Sequence, residues 1–121
     1  MAKLNEEAKK IISEVHPALV ATASTDGKPN VTPIGSFQVL DDEHVVFTDV
    51  ASPRTIANLR ENPQISVIVF DAAKRKGCRI WGRCEILDSG ELFDRFAATL
   101  AQRNMEVRNV AKVTVEEVVT F

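Results

Sequence analysis

The stretch ALVATASTDGKPNVTPIGSF, residues 18–37, decides the fold. Two extended segments rich in Val, Thr and Ala flank Asp26-Gly27, a dipeptide typical of the tight turn of a β-hairpin. The pattern predicts a first strand over residues 18–25 and a second over residues 30–40. Pro33 and Gly35 interrupt the second strand, which indicates a β-bulge or the close approach of a ligand to the backbone.

The rest of the chain adds four strands and three helices. Apolar runs and alternations predict strands over residues 45–50, 65–70, 78–87 and 110–121. Apolar residues at helical spacing predict helices over residues 3–15, 53–61 and 90–102. Because hairpins dominate and helices are few, the order predicts a mainly β (α+β) protein, a six-stranded antiparallel barrel with peripheral helices.

The composition is that of a single globular domain over residues 1–121. A formal net charge of −2 without a basic stripe argues against nucleic acid as a partner. No apolar run approaches the roughly 18 residues of a membrane span, and the charged segment 1–15 does not resemble a signal peptide. Cys78 and Cys84 lack CxxC spacing, so we expect reduced thiols rather than a disulfide. We also expect a cytoplasmic location and no membrane partner.

Motifs for common catalytic and metal sites are absent from the sequence. His16 and His44 lie beside a helix end and in a turn, and no cysteine joins His44 and the acidic residues before it. We therefore predict no metal site and assign no catalytic residue. The sequence also lacks the GxGxxG motif and a GxxxxGKS/T phosphate loop.

The segment SPRTIAN, residues 52–58, has the features of a helix start that binds an anion. Ser52 occupies the N-cap position and Pro53 the first helical position. Free backbone N–H groups and the helix dipole favour negative charge there, and Arg54 adds a planar fork for two phosphate oxygens. The alternative is an ordinary capped helix with a solvated arginine. Asp49, just before this segment, either lies beside a bound ring or begins a turn.

Two predicted strands carry further candidates. Thr32 and Ser36 share one face of the second strand, where their hydroxyls reach either a ligand or solvent. Trp81 lies on the polar face of the fifth strand, between Arg79 and Arg83. An aromatic residue there indicates a subunit interface or a planar ligand; the alternative is a monomer surface on which the indole covers the arginine stems.

Three segments together resemble the FMN-binding split barrels related to pyridoxamine 5'-phosphate oxidase: residues 18–37, VVFTDVASPRTIANLRENPQISVIVF (45–70) and GCRIWGRCEIL (77–87). The resemblance covers roughly residues 4–90. It implies a split barrel, a homodimer with FMN in the cleft between the subunits, and a phosphate held by Arg54 and Thr55. It also implies that the flavin site includes Thr32, Pro33 and Ile34 from the second strand, Thr48, Asp49 and Val50 from the third, and Trp81 near the interface.

The resemblance implies an FMN-dependent oxidoreductase with a small molecule or a protein as its redox partner, in which FMN carries the redox chemistry. The alternatives are an FMN-binding electron-transfer protein, a relative that binds a deazaflavin or haem, and a barrel that has lost its cofactor. Pyridoxamine phosphate oxidases carry C-terminal arginine and histidine positions that hold the substrate phosphate, whereas this sequence has VTVEEVVTF over residues 113–121. We therefore expect a substrate other than pyridoxamine phosphate.

Overall fold

The computed structural model describes residues 2–121 and contains the predicted hairpin. Strands β1 (Ala18–Ala23) and β2 (Pro29–Ile34) pair antiparallel. In the turn between them Gly27 has a φ of 88°, a conformation that is unstrained only without a Cβ. A hydrogen bond of 2.9 Å from the Gly27 N–H to the Ser24 carbonyl closes the turn. The Asp-Gly dipeptide therefore forms the turn where it was predicted.

The other predicted elements follow in order, with bounds a few residues from those expected, and one further strand, Gln38–Asp41, appears among them. They are α1 (Glu6–Glu14) before the hairpin, then β3 (Gln38–Asp41), β4 (His44–Asp49), α2 (Pro53–Glu61), β5 (Gln64–Asp71), β6 (Lys76–Leu87), α3 (Glu91–Ala101) and β7 (Asn109–Thr120). Every strand pair is antiparallel, in the order β2-β1-β5-β6-β7-β4-β3. The predicted mainly β class with an antiparallel sheet and peripheral helices is confirmed.

The sheet must curl because its two edge strands are consecutive in the chain. β2 and β3 lie at opposite edges of the seven-stranded sheet, and only residues 35–37 connect them. A flat sheet would separate these edges by about 29 Å, or roughly six strand spacings. The connection spans at most about 14 Å even when it is fully extended. The strands therefore close into a barrel, and residues 35–37 lie where its edges meet.

The prediction of one continuous strand over residues 30–40 is wrong, because the structure has two strands there. Gly35 and Ser36 form a turn, and the side chains of Ile34 and Phe37 are both buried. In a continuous strand, residues three apart point to opposite faces of the sheet. The turn thus changes which residues point inward, and the sheet has seven strands where the sequence predicts six.

Branched and aromatic side chains from the strands and from the connection between β2 and β3 fill the interior of the barrel. Phe37 and Phe47 are among the largest fully buried side chains. α1 packs against β3, β5 and β6 through one apolar face, and its Ile12 is also fully buried. The spacing of apolar residues that predicts this helix is therefore the spacing of its contacts with the barrel.

α3 lies over a second, smaller apolar cluster outside the main core. Its Leu100 packs with Val46 of β4 and with Val107 and Val110, which come after the helix. These contacts place α3 and the residues after it beside β4. Within residues 2–121, no helix is long and apolar enough to span a membrane.

Gly82 lies at a bulge where the register between β6 and β7 shifts, so that Trp81 pairs with Glu117 and Gly82 with Val115. A Cβ at position 82 would lie 2.8 Å from Cγ1 of Val113 and would overlap the carbonyl oxygen of Thr114. We predict that Gly82→Ala lowers the free energy of unfolding by about 1–3 kcal/mol, because the strands must separate.

Urea titration measures this loss. Gly35→Ala is the control, since nothing lies within 4 Å of a Cβ at that position. Equal losses in the two variants would contradict the steric explanation.

Candidate cofactor site

The first turn of α2 presents backbone donors that no side chain caps. Ser52 lies at the N-cap position and its carbonyl accepts a 3.1 Å hydrogen bond from the Ile56 N–H, but its hydroxyl makes no capping bond. Pro53 at the first helical position has no N–H. The N–H groups of Arg54 and Thr55 therefore have no acceptor within the helix, and the dipole gives this end partial positive charge. The helix start is confirmed, and its geometry suits an anion.

A groove of about 260 Å³, here called the α2 groove, begins at this helix start. Residues 30–32 of β2 and residues 51–55 line it, and no carboxylate is among them. Arg54 is exposed and forms no ion pair with any residue from 2 to 121. Its guanidinium is therefore available to an anion in the groove.

A second groove of about 300 Å³, here called the β4 groove, continues from the first, because Ala51 and Ser52 line both. Its walls come from the end of β2, the turn after it, the end of β4 and the segment after α3. Joined, the two grooves fall within the range of about 300–1,000 Å³ that is typical of small-molecule sites. Together they bring seven of the nine predicted site residues to one place: Thr32, Pro33, Ile34, Thr48, Val50, Arg54 and Thr55.

The side chain of Asp49, the eighth predicted residue, lines neither groove and supports the loop behind them. Asp49 is 3% exposed. Its Oδ1 accepts a 2.8 Å hydrogen bond from the Ser52 N–H, and its Oδ2 accepts one of 3.0 Å from the Asn109 side chain. Asn109 in turn accepts a 3.1 Å bond from Arg60, in the last turn of α2. The buried carboxylate of Asp49 is thus hydrogen-bonded to the start of α2 directly and to its last turn through Asn109. Of the two interpretations of Asp49, the one that describes its side chain is that of a turn residue.

Ser36, whose hydroxyl was expected to reach either a ligand or solvent from the strand face that it shares with Thr32, bonds instead to the backbone of Thr48. It accepts a 3.0 Å hydrogen bond from the Thr48 N–H and donates one of 3.3 Å to the Thr48 carbonyl. This side chain therefore joins the turn after β2 to β4, where the edges of the sheet meet. It holds the two strands that form the β4 groove at a fixed separation.

Trp81, the ninth predicted residue, lies on another part of the surface. The strand register places Val31, Ala21, Ser66 and Trp81 in one row across β2, β1, β5 and β6. Trp81 is thus about 14 Å from β2, or roughly three strand spacings. It lines a separate groove of about 340 Å³, and the Arg79 guanidinium lies 5.9 Å from its ring centroid. Within one chain the structure does not bring Trp81 to the α2 and β4 grooves.

A comparison with known protein families shows which family this chain matches. The family profile described as pyridoxamine 5'-phosphate oxidase matches residues 4–121. The chain belongs to the pyridoxamine 5'-phosphate oxidase family. The match extends through β7, and it confirms the resemblance that the shorter segments of sequence indicate.

Several proteins are similar to this member of the pyridoxamine 5'-phosphate oxidase family. An uncharacterized protein of Methanocaldococcus jannaschii is 38% identical over 69 residues, which cover 55% of this chain and 46% of that protein. The chain thus spans about half the length of the curated relative it matches. HupZ from Group A Streptococcus, as a crystallised variant, has a TM-score of 0.90 at 25% identity, over 97% of this chain and 98% of that chain.

Other structures with this fold are named for different cofactors. An FMN-binding protein from Syntrophomonas wolfei has a TM-score of 0.84 at 20% identity, over 95% of this chain and 84% of its own. An F420 reductase has a TM-score of 0.74 at 18% identity, over 96% and 98% of the two chains. HutZ, the heme storage protein from Vibrio cholerae, has a TM-score of 0.68 at 22% identity, over 98% and 94%. At these identities the likeness shows a common fold, whose members are named for FMN, F420 and heme.

The segment after α3 supplies site residues that sequence reasoning missed in this family member. Arg103 and Met105 line the β4 groove, and Asn109 completes the network behind it. All three are far along the chain from β2 and β4, and no local pattern connects them to the grooves. The one local signal, a cation after an amphipathic helix, is shared by many solvated helix ends.

The two cysteines lie in the core, as predicted. Cys78 and Cys84 are buried, and burial raises the pKa of the Cys78 thiol to about 11 and that of the Cys84 thiol to about 12. Thiols with such pKa values are not ionised near neutral pH and are poor nucleophiles. Across residues 2–121, no group of three His, Cys, Asp or Glu side chains is arranged to hold a metal ion.

We predict that Asn109→Asp lowers the free energy of unfolding by about 1–3 kcal/mol at pH 7. The substitution removes an amide donor and places a second carboxylate against the buried Asp49. The double variant Asp49→Asn with Asn109→Asp exchanges donor and acceptor, and should recover most of the loss. Urea titration compares the variants, and a double variant as unstable as the single one would contradict the assigned hydrogen bond.

Proposed function

We propose that this protein binds FMN in the joined α2 and β4 grooves and works as an FMN-dependent oxidoreductase. The observation that carries the proposal is the uncapped first turn of α2 with Arg54 beside it. This turn offers backbone donors, partial positive charge and a guanidinium to the phosphate of FMN. Membership of the family, and the FMN-binding protein with the same fold, support the proposal.

The β4 groove fits the flavin ring, since apolar side chains line it on more than one side. Pro33 and Ile34 contribute from β2, Val50 from the end of β4 and Met105 from the segment after α3. When bound, FMN supplies hydride and electron transfer, and the protein supplies binding, orientation and electrostatics. This division of labour is consistent with a site that has no acid–base pair of its own.

The lining of the grooves favours FMN over haem, because it includes no histidine or cysteine side chain to bind iron. The absorbance spectrum of the purified protein distinguishes FMN, a deazaflavin and haem directly. A protein that carries F420 or haem, or that binds no flavin on titration, would contradict the proposal. Reduction by NAD(P)H followed by a substrate screen then distinguishes an oxidoreductase from an electron-transfer protein.

A homodimer formed through the outward face of the sheet is the second part of the proposal. Leu19, Phe70, Val119 and Phe121 on this face are each more than 40% exposed. The register places Leu19 and Val119 in one row across the sheet, and the rings of Phe70 and Phe121 stack with centroids 6.1 Å apart. Arg79 lies in the same row, beside Val119, with its guanidinium 5.8 Å from the centroid of the Phe121 ring. Exposed apolar and aromatic side chains with an arginine among them are typical of a protein–protein interface.

Pairing through this face would also account for the position of Trp81. Val31 lines the α2 groove and lies in the same row of the sheet as Trp81. In a two-fold interface the same patch of both subunits meets, so that residues remote within one chain become neighbours across the interface. Trp81 of one subunit would then complete the FMN site of the other.

The cysteines support a cytoplasmic location. Cys78 and Cys84 are both free thiols in the core, six residues apart on β6. Free thiols are typical of reducing compartments, where we propose that this protein works.

Arg54→Ala is expected to weaken FMN binding by about 10- to 150-fold. A charge-assisted contact to phosphate contributes about 1.5–3 kcal/mol, and 1.4 kcal/mol corresponds to a factor of ten. Riboflavin lacks the phosphate, so its affinity should fall far less. Fluorescence titration of both flavins measures the difference.

Arg75→Ala is the matched control, because Arg75 is an exposed arginine in the turn between β5 and β6. Equal losses for FMN and riboflavin would mean that Arg54 shapes the pocket without binding phosphate. No loss for either flavin would move the phosphate site elsewhere.

Val119→Glu is expected to convert the dimer to a monomer, because it places a charge in the apolar face. Sedimentation equilibrium at micromolar concentration should give twice the chain mass of 13.4 kDa for the wild type and the chain mass for the variant. Ala98→Glu, at an exposed position of α3, should remain dimeric. A wild type that sediments only as a monomer would contradict the proposed assembly.

A further inference from the structure

A groove of about 810 Å³, larger than either cofactor groove, lies between α1, β3 and α3 and is here called the α1–α3 groove. Much of its lining is apolar, with Ile12 from α1, Val39 from β3, and Phe96 and Leu100 from α3. An apolar concave surface of this size suits the body of a drug-sized organic molecule.

The charged side chains on this groove are all cations: Lys9, Arg95 and Arg103. No carboxylate is part of the lining. The Lys9 ammonium is already paired with Asp42, whereas Arg95 and Arg103 form no ion pair with any residue in the described part of the chain. Because the protein carries a net charge of −2, this positive groove is a local feature and does not follow from the overall composition.

The cationic and apolar groups of the groove adjoin one another. The Arg95 guanidinium lies 5.2 Å from the centroid of the Phe96 ring. Arg103 lies one turn beyond Leu100, and its backbone N–H donates a 2.9 Å hydrogen bond to the Leu100 carbonyl. A ligand that combines a flat apolar body with an anionic group can therefore satisfy both parts of the lining at once.

The α1–α3 groove meets the β4 groove. The two share five lining residues: Gly35, Ser36, Thr48, Leu100 and Arg103. A molecule in the first groove would therefore lie directly beside a molecule in the second.

We infer that the α1–α3 groove is the substrate site, and that the substrate is an organic anion with an extended apolar or aromatic body. The assignment of this groove as a substrate site rests on the proposed FMN site, because a redox substrate requires a redox cofactor in the adjoining groove. The selection for an anion with an apolar body depends only on the lining described above.

Two fluorescent probes with the same aromatic skeleton test this inference. 1-Anilinonaphthalene-8-sulfonate is an anion, and N-phenyl-1-naphthylamine lacks the sulfonate. Arg95→Gln and Arg103→Gln should each weaken binding of the anionic probe by about fivefold, as expected for a partly exposed ion pair worth about 1 kcal/mol. Binding of the neutral probe should stay nearly unchanged.

Lys28→Gln and Arg75→Gln are the matched controls, because each removes one exposed positive charge outside the groove. The affinity of the anionic probe should not change in either. Equal affinities in the groove variants and the controls would overturn the inference that the groove selects anions.

Thr99→Trp tests the location of binding independently of charge. Thr99 is exposed on α3 and lines the groove, so that an indole there would occupy the space and weaken binding of both probes. Ala98→Trp, at the neighbouring exposed position outside the lining, is the control. Probe affinities that are the same in the two tryptophan variants would place the probes elsewhere and overturn the inference.

A titration with saturating FMN separates this inference from the proposed function. The anionic probe should still bind when FMN is present, because ten of the fifteen residues that line the α1–α3 groove do not line the β4 groove. Competition between FMN and the probe would overturn the assignment of a separate substrate site. A wild type that binds the probes as expected but binds no FMN would overturn the proposed function and leave an anion-binding groove.

Discussion

The connection of the two sheet edges by residues 35–37 is the constraint on which the rest of the structure depends. A chain this short cannot cross a flat seven-stranded sheet, so the strands must curl until β2 and β4 come together. Ser36 then bonds to both backbone polar groups of Thr48 and fixes that closure. The end of β2, the turn and the end of β4 become the walls of one groove. The candidate site is therefore a consequence of how the barrel closes.

The hydrogen bonds that hold the start of α2 in place do not use the free N–H groups of its first turn, which stay available to a ligand. A helix start usually satisfies its free N–H groups with the side chain at the N-cap. Here the Ser52 hydroxyl makes no such bond, while the Ser52 N–H is bound by the buried carboxylate of Asp49. Asn109 and Arg60 extend that network to the far end of the helix. The network can thus keep the loop in place without using the donors that would bind a phosphate.

The proposed cofactor site and the proposed substrate site are formed by different elements of the fold. Strand ends and a helix start form the α2 and β4 grooves, whereas α1 and α3 supply most of the side chains of the adjoining groove. α3 packs on its own small apolar cluster, apart from the main core of the barrel. Its outer residues can therefore change with little effect on the main core of the barrel.

The sequence by itself determined the features that depend on neighbouring residues. Asp26-Gly27 specifies the hairpin turn, Ser52-Pro53 specifies a helix start, and the alternation around Cys78 and Cys84 places both thiols inside. Only the tertiary structure decided where the second strand breaks, because residues 29–34 pair with β1 and residues 38–41 pair with β4, at opposite edges of the sheet. It likewise decided that Asp49 meets Asn109, that Arg103 reaches the β4 groove, and that Trp81 lies apart from it. These outcomes depend on contacts between residues far apart in the chain. No local spacing of residue types indicates which distant residues the closed barrel brings together.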